Sequence, residues 1–193
     1  MQAAGDDETL MLRYRDGDAA AFEALFARHR GALYRFLRRQ CGSAPLAEEL
    51  YQEAWIRVID ARSRYEPRAR FTTWLYTIAH NLLADHYRRT SRRPQEATLD
   101  DEDVPLADPS GDLQREPLAM LDRKRLAERL VAAIEALPEM QREAFLLQQE
   151  GGLSVEEIAA ATGVGFETAK SRLRYALTRL RQSLADLQLT DSR

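Results

Sequence analysis

The chain has 193 residues, 45% of them hydrophobic and 31% charged, and its formal net charge is −3. These values indicate a folded, helix-rich protein of one domain or two small ones, and they argue against a uniformly basic nucleic-acid binder. The single cysteine, Cys41, excludes an internal disulfide, and we recognise neither a signal peptide nor an apolar run of the ~20 residues that span a membrane, so we expect a cytoplasmic protein without membrane insertion.

The first half of the chain has the periodicity of three helices. Asp18 is a suitable N-cap for the first helix, in which apolar residues recur at spacings of three, four and seven over residues 22–37. Residues 42–45 break this pattern, and a second helix follows. Its buried side is expected to carry Leu50, Ala54, Trp55, Val58 and Ile59. The third helix is expected to begin with Thr72 or Thr73 as its N-cap.

Aromatic and cationic residues alternate in the segment that leads into and follows the third helix. Residues 61–94 carry eight arginines and two acids, for a net charge of +6. Because aromatic rings stack on unpaired bases and arginines follow the backbone, this mixture suits a single nucleic-acid strand. Arg64, Tyr65 and Arg68 lie on a predicted loop and are expected to face solvent. Core packing and base contact are equally compatible with the position of Trp74.

Two histidines on the third helix are candidates for a catalytic or metal site. His80 and His86 are six residues apart with Asp85 between them, a spacing that places the two rings well apart around a helix. No nearby cysteine or glutamate completes a ligand set, and the chain has neither a glycine-rich phosphate loop nor a nucleophile motif. We therefore expect no metal, no cofactor and no catalytic residue.

An acidic stretch separates the two halves of the chain. Residues 95–117 contain eight acids and one arginine, for a net charge of −7, together with several prolines and a glycine. Such a composition disfavours a packed core and predicts a flexible linker. We therefore predict an all-α fold of two small helical domains, residues 7–93 and 118–187, joined by an acidic linker over residues 94–117.

The second domain begins with two predicted helices. Residues 118–137 are amphipathic, with Leu126, Leu130 and Ile134 on the apolar side. Pro138 then starts the next helix, as proline does at a first helical position.

The end of the second domain has the pattern of a helix-turn-helix. Ser154 and Glu157 form a capping box at the start of a helix, Gly163 ends that helix, and a longer helix covers residues 166–187. The face opposite the apolar stripe of this last helix, with its flanks, carries Thr168, Lys170, Ser171, Arg172, Arg174 and Tyr175.

These side chains are the expected readers of duplex DNA. Residues 168–185 contain five cations and no acid. A charge run alone is typical of a solvated helix face, but the preceding capped helix and glycine turn favour DNA contact. Arginine and lysine at the start of a recognition helix pair with guanine or with phosphates in the major groove.

Both halves together resemble a known family, the extracytoplasmic-function (ECF, group IV) sigma factors of bacterial RNA polymerase, in the sigma-70 family. The resemblance covers residues 17–93 and 118–184. It is carried by FEALFARHRGALYRFLRR, AEELYQEAWIRV and FTTWLYTIAHNLLADHYRR in the first half, and by ALPEMQREAFLLQQEGGLSVEEIAAATGVGFETAKSRLRYALTRLR in the second. It implies a sigma-two domain and a sigma-four domain, joined by a flexible linker, that direct promoter-specific initiation.

The resemblance also implies roles for individual residues. The residues expected to bind core RNA polymerase are Glu49, Leu50, Gln52, Glu53 and Trp55. Those expected to read and open the −10 promoter element are Arg64, Tyr65, Arg68, Arg70, Thr72, Trp74, Asn81, Arg88 and Arg89. The last helix, with the face described above, is expected to read the −35 element. The implied partners are core RNA polymerase, promoter DNA and an anti-sigma factor.

Two other functions are compatible with parts of the sequence. A stand-alone helix-turn-helix regulator, which binds duplex DNA without polymerase, would explain the last two helices but not the cationic, aromatic first domain. A nucleic-acid enzyme would use His80, Asp85 and His86, and its activity would be lost on substitution of either histidine. The promoter-specificity factor accounts for more of the chain than either of them.

Overall fold

The computed structural model describes residues 5–90 and 117–190. The all-α prediction is confirmed over these residues, which form eight α-helices and one 3-10 turn and contain no strand. The predicted acidic linker, apart from Pro117, lies outside the described residues and stays a prediction. Within the described ranges, none of the helices is long and apolar enough to cross a bilayer.

Residues 5–90, here called the N-terminal unit, contain α1 (Asp7–Arg15), α2 (Ala19–Cys41), α3 (Ala44–Ala61) and α4 (Phe71–Thr90), with the 3-10 turn Arg62–Arg64 between the last two. The predicted cap of α2 is confirmed, because the Asp18 carboxylate accepts hydrogen bonds from the backbone N–H groups of Ala20 and Ala21 at 3.1 and 3.3 Å. Gly42, in the left-handed region at φ 73°, ends α2.

The predicted start of α4 is wrong. The helix begins at Phe71, whose backbone N–H donates to the Glu8 carboxylate at 2.5 Å, so a side chain from α1 supplies the cap. Thr72 and Thr73 lie inside the first turn and are 9% and 5% exposed. Sequence alone favours threonine as a cap, but here α1 is close enough to satisfy the free N–H instead.

Residues 117–190, here called the C-terminal unit, contain α5 (Pro117–Glu135), α6 (Glu139–Gln149), α7 (Val155–Thr162) and α8 (Phe166–Thr190). The predicted capping box is confirmed. Ser154 Oγ accepts from the Glu157 N–H at 3.2 Å, and Glu157 Oε2 accepts from the Ser154 N–H at 2.8 Å. Gly163 ends α7 at φ 65°, and the helix-turn-helix follows as predicted.

The apolar side predicted for α5 is only partly buried. Ile134 is 3% exposed, but Leu126 and Leu130 are 58% and 38% exposed. Described residues cover Ile134 and leave Leu126 and Leu130 open, so periodicity predicted the helix correctly and the burial of these two leucines wrongly. Ile59 on α3, also expected inside, is 39% exposed.

The two units pack against each other along α4. Helix α4 contacts α7, and α2 contacts α6, so the buried side chains form one continuous core. Tyr76 of α4 is 1% exposed, and its ring meets that of Phe36 edge to face at a centroid distance of 5.1 Å. Gly151 approaches the same ring from the C-terminal unit, since a Cβ added at Gly151 would lie 2.9 Å from Tyr76 Cε2.

Gly151→Ala should therefore weaken the packing between the units. The added methyl group would also lie 2.7 Å from both the Leu147 carbonyl oxygen and Leu153 Cδ1. We expect a loss of about 1–3 kcal/mol in the free energy of unfolding, as for other overpacked sites, measured by urea denaturation. Gly165→Ala is the matched control, because nothing lies within 4 Å of its Cβ position. Equal stability of the two variants would contradict the prediction.

Candidate nucleic-acid interface

The loop between α3 and α4 forms one wall of a surface cavity of about 380 Å³. Its lining residues are Ala61, Arg64, Tyr65, Glu66, Arg68, Ala69 and Trp74. The cavity thus combines aromatic rings with two guanidinium groups. This is the combination of side chains that holds an unpaired base and its phosphates.

Tyr65 and Trp74 form the aromatic part of the cavity. Their rings meet edge to face at 5.1 Å, and Trp74 is half-buried. Tyr65 is only 4% exposed, so the expectation that it faces solvent is wrong, because its ring packs against that of Trp74. Burial, together with the nearby charges of Glu8, Asp6 and Asp7, raises the pKa of Tyr65 to about 12. The phenol is therefore neutral at physiological pH and adds no negative charge where a phosphate would approach.

The other residues predicted to read the −10 element lie in three settings. Arg64, Asn81 and Arg89 are exposed on the loop and on α4. Arg68 and Arg88 are exposed too, but each pairs with a neighbouring acid: Arg68 with Glu66 at 2.6 Å, and Arg88 with Asp85. Thr72 is buried against the core, and its hydroxyl has no hydrogen-bond partner among the described residues.

Arg70 is directed towards the C-terminal unit. Its Nη1 atom lies 3.3 Å from Glu157 Oε2 and 3.3 Å from the Gly152 carbonyl oxygen. Glu157 also accepts from the Thr73 hydroxyl at 3.0 Å. Burial alone would raise the pKa of Glu157, but the hydrogen bonds from Ser154 and Thr73 and the charge of Arg70 hold it below its ordinary value.

Helix α8 presents the predicted recognition face at its N-terminal end. Thr168, Lys170, Arg174 and Tyr175 are exposed, and Ser171 and Arg172 are partly exposed. The Lys170 ammonium lies 5.6 Å from the Phe166 ring and the Arg174 guanidinium 5.1 Å from the Tyr175 ring. These side chains lie on about two turns of helix, with Lys170 also 3.6 Å from Glu167, and a helix of this kind fits into a major groove.

The predicted polymerase-binding residues divide between surface and core. Glu49 and Gln52 are exposed, and Glu53 pairs with Arg57 at 3.0 Å. Leu50 and Trp55 are 2% and 5% exposed and lie beneath this surface. They therefore support the exposed residues from below and are not themselves available for contact.

Sequence reasoning missed Ile56 on the same helix. Ile56 is 50% exposed. It follows Glu49 by seven residues and Gln52 by four, so it shares their face. The spacing in the sequence already places this isoleucine on the polar side of the helix, and it could have been used to predict that Ile56 is exposed.

The histidines do not come together. His80 Nδ1 lies 2.6 Å from Glu143 Oε1 of α6, while the His86 ring lies 5.8 Å from that of Tyr87. Among the described residues, no three histidine, cysteine, aspartate or glutamate side chains are grouped so that they could hold a metal ion. His80 is part of the contact between the units.

Comparison with known proteins identifies both halves. The family model for sigma-70 region 2 matches residues 25–93, and the model for sigma-70 region 4 matches residues 127–180. The RNA polymerase sigma factor CarQ of Myxococcus xanthus is 36% identical, over 95% of this chain and 100% of that protein. The ECF RNA polymerase sigma-E factor of Escherichia coli K12 is 30% identical, over 86% of this chain and 88% of that protein.

A solved structure has a similar fold. The sigma factor RpoE, crystallised with the anti-sigma factor NepR from Bartonella quintana, superposes with a TM-score of 0.68, covering 85% of this chain and 96% of that one. The sequence identity is 24%. At this sequence identity, the likeness shows that the two chains share a fold and no more.

Trp74→Ala should weaken the binding of an unpaired base at the cavity. Loss of the indole removes one stacking surface, which we expect to cost about 1–3 kcal/mol of binding free energy. The measurement is fluorescence anisotropy of a forked −10 DNA, in the presence of core RNA polymerase. Trp74→Phe keeps a ring in place and should retain most of the affinity. An alanine variant that binds forked DNA as tightly as the parent would contradict a base-contacting role.

Proposed function

Because this chain belongs to the extracytoplasmic-function group of the sigma-70 family, we propose that each helical unit reads one element of the same promoter from the surfaces described above. The protein is an alternative sigma factor that directs transcription initiation. Core RNA polymerase supplies the chemistry of RNA synthesis. The chain supplies the choice of start site.

One observation supports this function above all: a single chain carries two DNA-compatible surfaces of different character. The cavity beside α4 suits an unpaired base, and the cationic start of α8 suits the major groove of a duplex. A sigma factor needs both, since it reads one element as duplex and the other as it melts. A stand-alone helix-turn-helix regulator would use only α7 and α8.

At the −10 element, the cavity is proposed to receive a base that leaves the stack of the non-template strand. Unstacking costs a few kcal/mol, which contacts in the pocket offset. Tyr65 and Trp74 provide the apolar walls, and Arg64 and Arg68 lie at the rim, where the phosphates of that strand would pass. Asn81, Arg88 and Arg89 extend the polar surface along α4.

At the −35 element, the first turns of α8 are proposed to enter the major groove. Lys170, Arg172 and Arg174 supply cations for guanine edges or phosphates, and the hydroxyl groups of Thr168 and Ser171 can bond to either. Tyr175 is exposed beside them. Helix α7 would lie across the backbone, as the first helix of such a motif does.

The polar face of α3 is proposed to bind core RNA polymerase. Its acids and Gln52 surround the exposed Ile56, so an apolar contact would lie at the centre of a polar rim. Since its polymerase partner acts in the cytoplasm, we place the protein there. The sigma factor RpoE of similar fold was crystallised with the anti-sigma factor NepR, and we propose that an anti-sigma factor also holds this chain.

The decisive experiment is run-off transcription over a promoter library, with core polymerase and with or without the protein. We expect selective transcripts only when both are present. Tight binding of duplex operators by the protein alone, without any effect on transcription by core polymerase, would instead support the stand-alone regulator.

Arg172→Ala should weaken recognition of the −35 element by about 1–3 kcal/mol if the guanidinium contacts a base. The readout is transcription from templates that differ at single −35 positions, where the loss should be confined to one of them. Arg179→Ala is the control, because this exposed arginine lies two turns further along α8. Equal losses on every −35 sequence would assign Arg172 to a phosphate.

Ile56→Ser should weaken binding to core polymerase by about 1–3 kcal/mol, because an exposed isoleucine at the centre of an interface loses its apolar contact. Binding is measured by competition against a labelled sigma factor. Ile56→Val retains most of the apolar surface and should bind nearly as well as the parent. Unchanged affinity of the serine variant would place the polymerase contact elsewhere.

A further inference from the structure

Three glutamates of the C-terminal unit face the N-terminal unit at intervals of seven residues: Glu143, Glu150 and Glu157. Each makes a polar contact across the boundary. Glu143 lies 2.6 Å from His80, Glu150 accepts from Arg35 at 2.9 Å and Arg39 at 2.6 Å, and Glu157 accepts from Arg70 and Thr73 at 3.3 and 3.0 Å.

The arrangement around Glu150 is that of an oxyanion site. Its side chain is only 8% exposed, and each of its two oxygens takes one arginine. A buried carboxylate is tolerated when cations compensate its lost hydration. Two guanidinium groups that converge on one anion also match the geometry by which arginines bind phosphate.

Arg70 extends this site. It donates to the Gly152 carbonyl, and Gly152 is two residues from Glu150. Two Cα–Cα steps span at most about 8 Å, so Arg35, Arg39 and Arg70 contact the same short stretch of the C-terminal unit. In the described part of the chain, the acid that pairs with each of these three arginines is a glutamate of the C-terminal unit. Glu8 accepts from the N–H of Phe71, the residue after Arg70.

The closed arrangement of the units cannot read a whole promoter. The centres of the −10 and −35 elements are ~25 base pairs apart, or ~85 Å at ~3.4 Å per pair. Arg70 lies 3.3 Å from Glu157, and the eleven residues from Glu157 to Thr168 reach at most about 40 Å. The units must therefore separate, and the 26 residues between Thr90 and Pro117 can reach about 90 Å when extended. Separation uncovers the three arginines.

We propose that Arg35, Arg39 and Arg70 form a phosphate-binding surface for the promoter backbone, and that Glu150 and Glu157 occupy it until the units separate. This inference rests on the proposed function. The carboxylates stand where phosphate oxygens would lie. Arg70 also belongs to the loop that borders the cavity for the unpaired base, so the surface continues the path of the strand that leaves it.

The test uses holoenzyme reconstituted from core polymerase and the full chain. The equilibrium constant for promoter binding is measured over a range of salt concentrations. Arg35→Gln combined with Arg39→Gln should lower the magnitude of the slope of log K against log salt by about 1–2, since each lost phosphate contact contributes about 0.9. The loss should be the same for all promoter sequences. Arg35→Gln alone, at a side chain already 44% exposed, should lower it by about 1.

Glu150→Gln is the matched control. It breaks the same two ion pairs but leaves both arginines, so the holoenzyme should keep the parental salt slope. In the free protein, both this variant and the double arginine variant should increase the radius of gyration measured by X-ray scattering, because both weaken the contact between the units.

The possible outcomes separate the two claims. An unchanged salt slope in the double arginine variant would overturn this inference alone, and the arginines would then serve only to hold the C-terminal unit. A slope lowered equally by Glu150→Gln would overturn it too, because that variant keeps the cations. A parental holoenzyme that binds no promoter would overturn the proposed function and this inference with it.

Discussion

The packing of α4 between the N-terminal core and the C-terminal unit is the interaction on which the rest of the structure depends. Helical periodicity divides its side chains among three environments. Leu75, Ala79 and Leu82 enter the core, and Thr73, Tyr76 and His80 meet the C-terminal unit. Trp74 lines the cavity, and the exposed Asn81 follows it by seven residues, on the same side of the helix. A shift of this helix would therefore disturb the core, the boundary between the units and the candidate base site together.

The boundary between the units combines an apolar contact with buried charge. Tyr76 and Gly151 meet closely, whereas Glu143 and Glu150 are carboxylates with side chains 4% and 8% exposed. Buried ion pairs contribute little net stability, because desolvation offsets much of their attraction, but they penalise any arrangement that leaves one partner alone. Such a boundary is specific, and it can open when another anion or water replaces the glutamates as the partner of the arginines.

The uneven distribution of charge explains how a chain with a net charge of −3 can bind a polyanion. Residues 95–117 carry a net charge of −7 and three glutamates face the N-terminal unit, whereas residues 61–94 carry +6 and residues 168–185 carry five cations and no acid. Local potential at a surface, rather than net charge, determines where DNA approaches.

The sequence by itself determined what depends on neighbouring residues: the all-α fold, the Asp18 cap, the capping box of Ser154 and Glu157, and the helix-turn-helix with its cationic face. Each rests on backbone hydrogen bonds or helical spacing within a few residues. Tertiary structure decided the start of α4, the exposure of Leu126, Leu130 and Ile59, and the partners of the buried acids. His80 and Glu143 are 63 residues apart, and Arg35 and Glu150 are 115 apart. Periodicity shows which face of a helix is apolar, but it does not show what covers that face, because the cover comes from distant chain.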